Sequence, residues 1–160
     1  MHVSIKGLLD EADRTRLVIA LLRISTGVMF LLAAWPKISA GGDWTGRMLG
    51  FLRAQENTAG WYRSLLESIV VPNAEVFAFL TAYGELAVGL ALVLGLLSRL
   101  ALVAALVMVV NYLLAKGVPF WTPSSNDSYL ILILLTLVLL RAGHFLGLDA
   151  WLAARRRDRR

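Results

Sequence analysis

The chain has 160 residues, of which 58% are hydrophobic and 17% charged, and its mean hydropathy is +0.69. That is too oily for a soluble domain of this size and points to an integral membrane protein. The net charge of +5 sits largely in the closing run Arg155-Arg156-Arg157-Asp158-Arg159-Arg160, a basic tail that suits the cytoplasmic face of a bilayer and its anionic lipid rather than nucleic acid. The absence of cysteine removes thiol exchange, disulfides and cysteine-ligated iron–sulfur clusters. His2 and His144 lie near the chain ends, outside the centres of the apolar runs, so neither a metal nor a haem is expected.

Residues 17–38 form the first apolar run. It is longer than the apolar region of a signal peptide, contains Arg23 and ends in Trp35-Pro36-Lys37, so it is expected to stay in the protein as a membrane helix. In the loop that follows, Trp44, Met48, Phe51 and Leu52 recur at helical spacing, as do Trp61, Leu65, Leu66 and Ile69. Two short amphipathic helices are expected there, separated at Gly60, with Pro72 ending the second. Residues 77–97 form the second apolar run, and Ser98-Arg99 joins it to the third, 100–114, as an antiparallel hairpin. The fourth run is 129–140. The last two reach bilayer length only with flanking residues, giving spans of 100–115 and 127–141.

The expected architecture is all-α: an integral membrane four-helix bundle, one domain over residues 1–160, with amphipathic helices in the outer loop between its first two spans. An even number of spans places both termini on one side, with Lys6, Arg14, Arg16, Arg99, Arg141 and the arginine tail. The opposite side carries Lys37, Arg47, Arg53, Arg63 and Lys116. The positive-inside bias makes the termini cytoplasmic, which in a bacterium means a multi-pass inner-membrane protein.

Glu85 stands near the middle of the second run, where a carboxylate costs about 2.5–3.5 kcal/mol to insert. Something must pair with it, protonate it or use it. Arg23, displaced by about 9 Å along the axis, is one candidate partner, unless it snorkels to the headgroups. Asn111, at nearly the depth of Glu85, is the other. Arg23, Gly27, Phe30, Ala34 and Lys37 form one helical stripe, and Thr81, Glu85 and Gly89, with Gly84 beside them, form a matching one. The glycines either permit close helix approach or leave room for a ligand. The polar set is either interhelical glue or the lining of a pocket for a proton, a quinone headgroup or a small oxyanion. Trp35, Tyr83, Tyr112 and Trp121 read as interfacial anchors, and Lys37 as a snorkelling terminus unless the bundle mouth is a site.

Arg23, Gly27 and Lys37 in the first run, Gly84-Glu85 with Gly89 and Gly95 in the second, and the closing stretch from Arg141 through Ala142, Gly143, His144, Phe145, Leu146 and Gly147 to Leu148 and Asp149 together resemble the DoxX/DoxD family. The resemblance implies a four-helix membrane bundle. It also implies a family in which some members are subunits of a thiosulfate:quinone oxidoreductase and others join membrane-associated redox-stress complexes. The expected function is therefore a quinone-associated membrane subunit working with a soluble redox partner protein. In it Glu85 and Arg23 are the catalytic pair, Glu85 relaying a proton, with Arg23 or Asn111 orienting the quinone oxygen and Gly27, Gly84, Gly89 and Lys37 around the ligand. The alternatives are a non-catalytic anchor or assembly factor and a small-solute exporter. Glycines and alanines on the helices also leave a homo-oligomer open.

Overall fold

The computed structural model describes residues 11–123, 125–142, 147–149 and 155. His2, His144 and all but one residue of the basic tail lie outside the described residues. Among the described residues six α-helices follow one another: α1 Glu11–Ala40, α2 Asp43–Ala54, α3 Gly60–Leu65, α4 Ala74–Leu94, α5 Ser98–Lys116 and α6 Asp127–Leu139. The described residues contain no strand.

Among the described residues, three helical stretches are long and apolar enough to cross a membrane, 13–40, 60–94 and 98–116. The α6 helix has 13 residues, about 20 Å against a hydrocarbon core of about 30 Å. All four apolar helices share one core, in which Phe30 of α1, Leu92 of α4, Leu102 and Ala105 of α5 and Leu134 and Leu137 of α6 are buried together. Large apolar side chains such as Leu32, Val76, Phe79, Leu100, Val107 and Leu139 face outward. In water that much exposed apolar surface would be costly; against lipid it is the expected exterior.

The helices α1 and α4 lie against each other at two glycines. A Cβ placed on Gly27 would stand 2.9 Å from the Gly89 carbonyl oxygen, and one on Gly89 would stand 2.9 Å from the Gly27 carbonyl oxygen and 2.7 Å from Leu31 Cδ2. Of the two roles open to these glycines, close backbone approach is the one the structure shows. A Cβ on Gly84 would meet only Met108, at the ordinary distance of 3.5 Å.

The outer loop departs from expectation at Pro72. The second amphipathic segment does not end there. It runs from α3 through a π turn, Leu66–Val70, and a 3-10 turn, Val71–Asn73, directly into α4. Proline lacks only its own N–H, and near the start of the short 3-10 turn that donor is dispensable, while the wide π turn absorbs the change in register. The amphipathic segments α2 and α3 cover a second core of Met48, Tyr62, Leu66, Val70, Ala74, Ala78 and Ala115. Thr58 Oγ1 donates to the Ala115 carbonyl at 2.7 Å, tying their connecting loop to the end of α5.

The hairpin between α4 and α5 is present, although the turn is Gly95–Leu97 and Ser98 and Arg99 begin α5. Gly95 takes the left-handed conformation, φ +65°, that ends helices cheaply.

Candidate functional site

The buried stripe of α1 is as the periodicity predicts: Arg23, Phe30 and Ala34 are all within 3% of full burial. Glu85, 2% exposed, faces it from α4. Its partners are not the expected ones. Lys37 Nζ donates to both Glu85 carboxylate oxygens, and the Tyr112 hydroxyl donates to Oε1 at 2.8 Å. The Lys37 ammonium also stands 5.3 Å from the centre of the Trp44 ring and 5.7 Å from that of Tyr112, close enough for cation–π attraction. One carboxylate, one ammonium and two aromatic rings thus form a closed, charge-neutral cluster built from α1, α2, α4 and α5.

Arg23 does not reach Glu85. It serves the other end of the bundle, where Nη1 donates to the Ala142 carbonyl at 3.1 Å and its charge acts on Asp149. Asp149 accepts from the backbone N–H groups of Leu97 and Ser98, each at 2.9 Å, and its own N–H donates to the Gly95 carbonyl at 2.8 Å. The segment after α6 therefore caps the first turn of α5, with Arg23 beneath it. Arg23 belongs to this clasp and not to the Glu85 cluster, so the structure does not bring the two residues of the expected pair together.

Asn111 does not touch Glu85 either. Its Oδ1 accepts from the Tyr62 hydroxyl at 2.8 Å and its Nδ2 donates to the Val107 carbonyl at 2.7 Å, joining α3 to α5. Tyr112 is not the interfacial anchor its position suggests; Trp35 and Trp121, 71% and 67% exposed, and Tyr83, 45% exposed, keep outward positions that suit that role.

Beside the cluster opens a cavity of ≈ 550 Å³. Lys37, Trp44, Tyr62, Asn111, Tyr112 and Lys116 supply its polar and aromatic wall, and α2, the π turn and the outer parts of α4 and α5 supply the apolar remainder. Glu85 is not on the lining; it holds Lys37 and Tyr112, which are. Such a space, mostly apolar with a few convergent polar groups, has the size and character of a small-molecule site, for which about 300–1,000 Å³ is usual. The sequence contains the signal for Lys37, as the outer end of the buried α1 stripe, and none for the direction in which Tyr112 points.

The fold and this site define a polytopic helical membrane protein with a neutralised lysine at the wall of an apolar cavity. The chain belongs to the DoxX family, whose family model matches residues 18–117. The match spans α1 to the end of α5 and so includes Lys37, Glu85 and Tyr112. Neither the curated proteins nor the solved structures offer a match.

Proposed function

We propose that the protein is a quinone-binding membrane subunit of an oxidoreductase, seated in the inner membrane with its termini cytoplasmic. The observation that carries this reading is the Lys37 ammonium at the wall of the cavity. An ammonium has three N–H donors, and Lys37 commits two of them to Glu85. The third is left for a ring carbonyl oxygen. Glu85 has already cancelled the charge of Lys37, so the site favours a neutral carbonyl lipid over a free oxyanion. The apolar remainder of the cavity suits the ring and the start of its tail.

Reduction of a quinone consumes two electrons and two protons. Of the polar residues that line the cavity, Lys37 and Tyr112 are the two whose Nζ and hydroxyl Glu85 holds in place, and they are the proton-bearing groups this reading uses. The chain has no thiol with which to carry electrons, and in this reading a soluble redox partner protein delivers them.

The test is titration of a short-chain quinone into the protein in lipid nanodiscs, read by quenching of Trp44 fluorescence after the other tryptophans are replaced. The expected result is saturable binding that weakens roughly tenfold or more in the charge-balanced variant Lys37→Met/Glu85→Gln, the loss of one charge-assisted hydrogen bond. Thermal melting shows whether the variant folds. No saturable binding to a folded wild-type protein would overturn the reading and leave a non-catalytic anchor as the better account.

A further inference from the structure

A groove of ≈ 660 Å³ opens at the other end of the bundle from the Lys37 cavity, where the start of α5 meets the end of α6. Arg99, in the first turn of α5, and Arg141, just past α6, both line it and both are exposed. From these two residues the wall continues toward the middle of the bilayer along Leu100 and Val103 on α5 and along Val138 and Leu137 on α6. The groove is basic where it meets the headgroups and apolar where it meets the acyl chains.

Neither arginine serves its own helix. A cation in the first turn of α5 works against the helix dipole, and Arg141 holds φ +51°, a left-handed conformation that glycine takes at lower cost. Among the described residues the side chains of Arg99 and Arg141 make no ion pair and no hydrogen bond. The acid on the lining, Asp149, is already engaged: its oxygens accept from the Leu97 and Ser98 N–H groups, and the charge of Arg23 acts on it. The charges of Arg99 and Arg141 are therefore left uncompensated.

An arginine can lay its apolar stem along such a wall and keep its guanidinium at headgroup level, where phosphate is its natural bidentate partner. The positive-inside bias is met by arginine anywhere at this end. Two of them unpaired on one apolar groove match the outline of a lipid, phosphate outermost and acyl chain inward. A zwitterionic headgroup would bring its own cation against them; an anionic one would not.

We infer that this groove binds one anionic glycerophospholipid, with its phosphate at Arg99 and Arg141 and an acyl chain along α5 and α6. The site is independent of the quinone reading, and it differs from the diffuse attraction of the basic tail for an anionic surface.

The experiment titrates the full chain, delipidated in mild detergent, with dioleoyl phosphatidylglycerol or dioleoyl phosphatidylcholine and counts bound lipid by native mass spectrometry. A single phosphatidylglycerol is expected to bind saturably, roughly tenfold more tightly than phosphatidylcholine. Arg99→Gln/Arg141→Gln is expected to bring it down to the phosphatidylcholine level, while removal of residues 155–160 leaves the preference in place. Arg141→Gly relieves the left-handed strain and so decides the matter if the double variant fails to fold; it is expected to weaken phosphatidylglycerol binding roughly threefold. Equal binding of the two lipids by the wild-type protein, an undiminished preference in a folded arginine variant, or loss of the preference with the tail would overturn the inference. Displacement of the lipid by inorganic phosphate at the lipid's own concentration would overturn the lipid as occupant and leave a free-phosphate site.

Discussion

Asp149 does at the Arg23 end of the bundle what a helix-capping residue usually does from within its own helix, but from 51 residues away. Burial raises its carboxyl pKa. The N–H groups of Ser98 and Leu97 and the charge of Arg23 together outweigh that and hold it below the ordinary 3.8. A carboxylate with a depressed folded pKa stabilises the native state at pH values above its unfolded pKa, and that stabilisation is lost as pH falls through the folded value. Asp149→Asn keeps one acceptor oxygen but loses the second and the charge beside Arg23, and is therefore expected to cost about 1 kcal/mol at neutral pH, the order of one hydrogen bond. The gap between wild type and variant should close as the medium is acidified below about pH 4. Melting curves in mild detergent at several pH values measure it; a gap that stays constant would show that the carboxylate charge is not what matters. The same residue scale explains why the partner of Glu85 was hidden. In a helix the side chain leans toward the N-terminus, and α1 and α4 run in opposite directions. Lys37 on α1 leans inward and Glu85 on α4 leans outward, so the two approach. Arg23 leans inward too, away from Glu85 and toward Ala142. The sequence showed the stripe that holds both cations, but axial distance alone chose the wrong one.

At the scale of elements, the crossing of α1 and α4 sets the register that makes this pairing possible. With Gly27 opposite Gly89, Lys37 lies ten residues outward along α1 and Glu85 four residues outward along α4. The difference is about 9 Å, which the two leaning side chains close; Arg23, four residues inward, would have to span about 12 Å. Gly27→Ala should push a methyl group against the Gly89 carbonyl and the Val93 backbone nitrogen, each 2.9 Å away. Backbone cannot yield as a side chain can, so a loss of about 1–3 kcal/mol is expected. Gly84→Ala meets only the flexible end of Met108 at 3.5 Å and should stay within about 0.5 kcal/mol of wild type. Thermal or chemical denaturation in lipid distinguishes them, and equal losses would mean that the crossing does not depend on Gly27. Apolar run lengths and the glycine spacing made the long helices and the hairpin legible. The continuity of α3 into α4 was not legible, because a proline reads as a stop unless the π and 3-10 turns that accommodate it are seen.

At the scale of the whole molecule, the sidedness of the proposed site depends on α6. Lys37, Lys116 and the cavity lie at the end of the bundle covered by α2 and α3, whereas Arg23 and Asp149 lie at the opposite end. In the proposed orientation the basic excess around the termini puts that second end in the cytoplasm, and the arginine tail shares it only if α6 crosses the bilayer. Its 13 residues are enough if Leu140 and the residues beside it extend the apolar length or the membrane thins around it. The absence of cysteine makes this directly measurable, because each introduced thiol is the sole target of a maleimide. In intact cells a membrane-impermeant maleimide is expected to label Gln55→Cys, in the loop between α2 and α3. It should leave Arg160→Cys, at the end of the tail, unlabelled until the cells are permeabilised. Labelling of both from outside would mean that α6 does not cross and the tail shares the face of the cavity. The reverse pattern would invert the protein, and a soluble electron donor in the cytoplasm would then meet the lysine-lined cavity and not the Asp149 clasp.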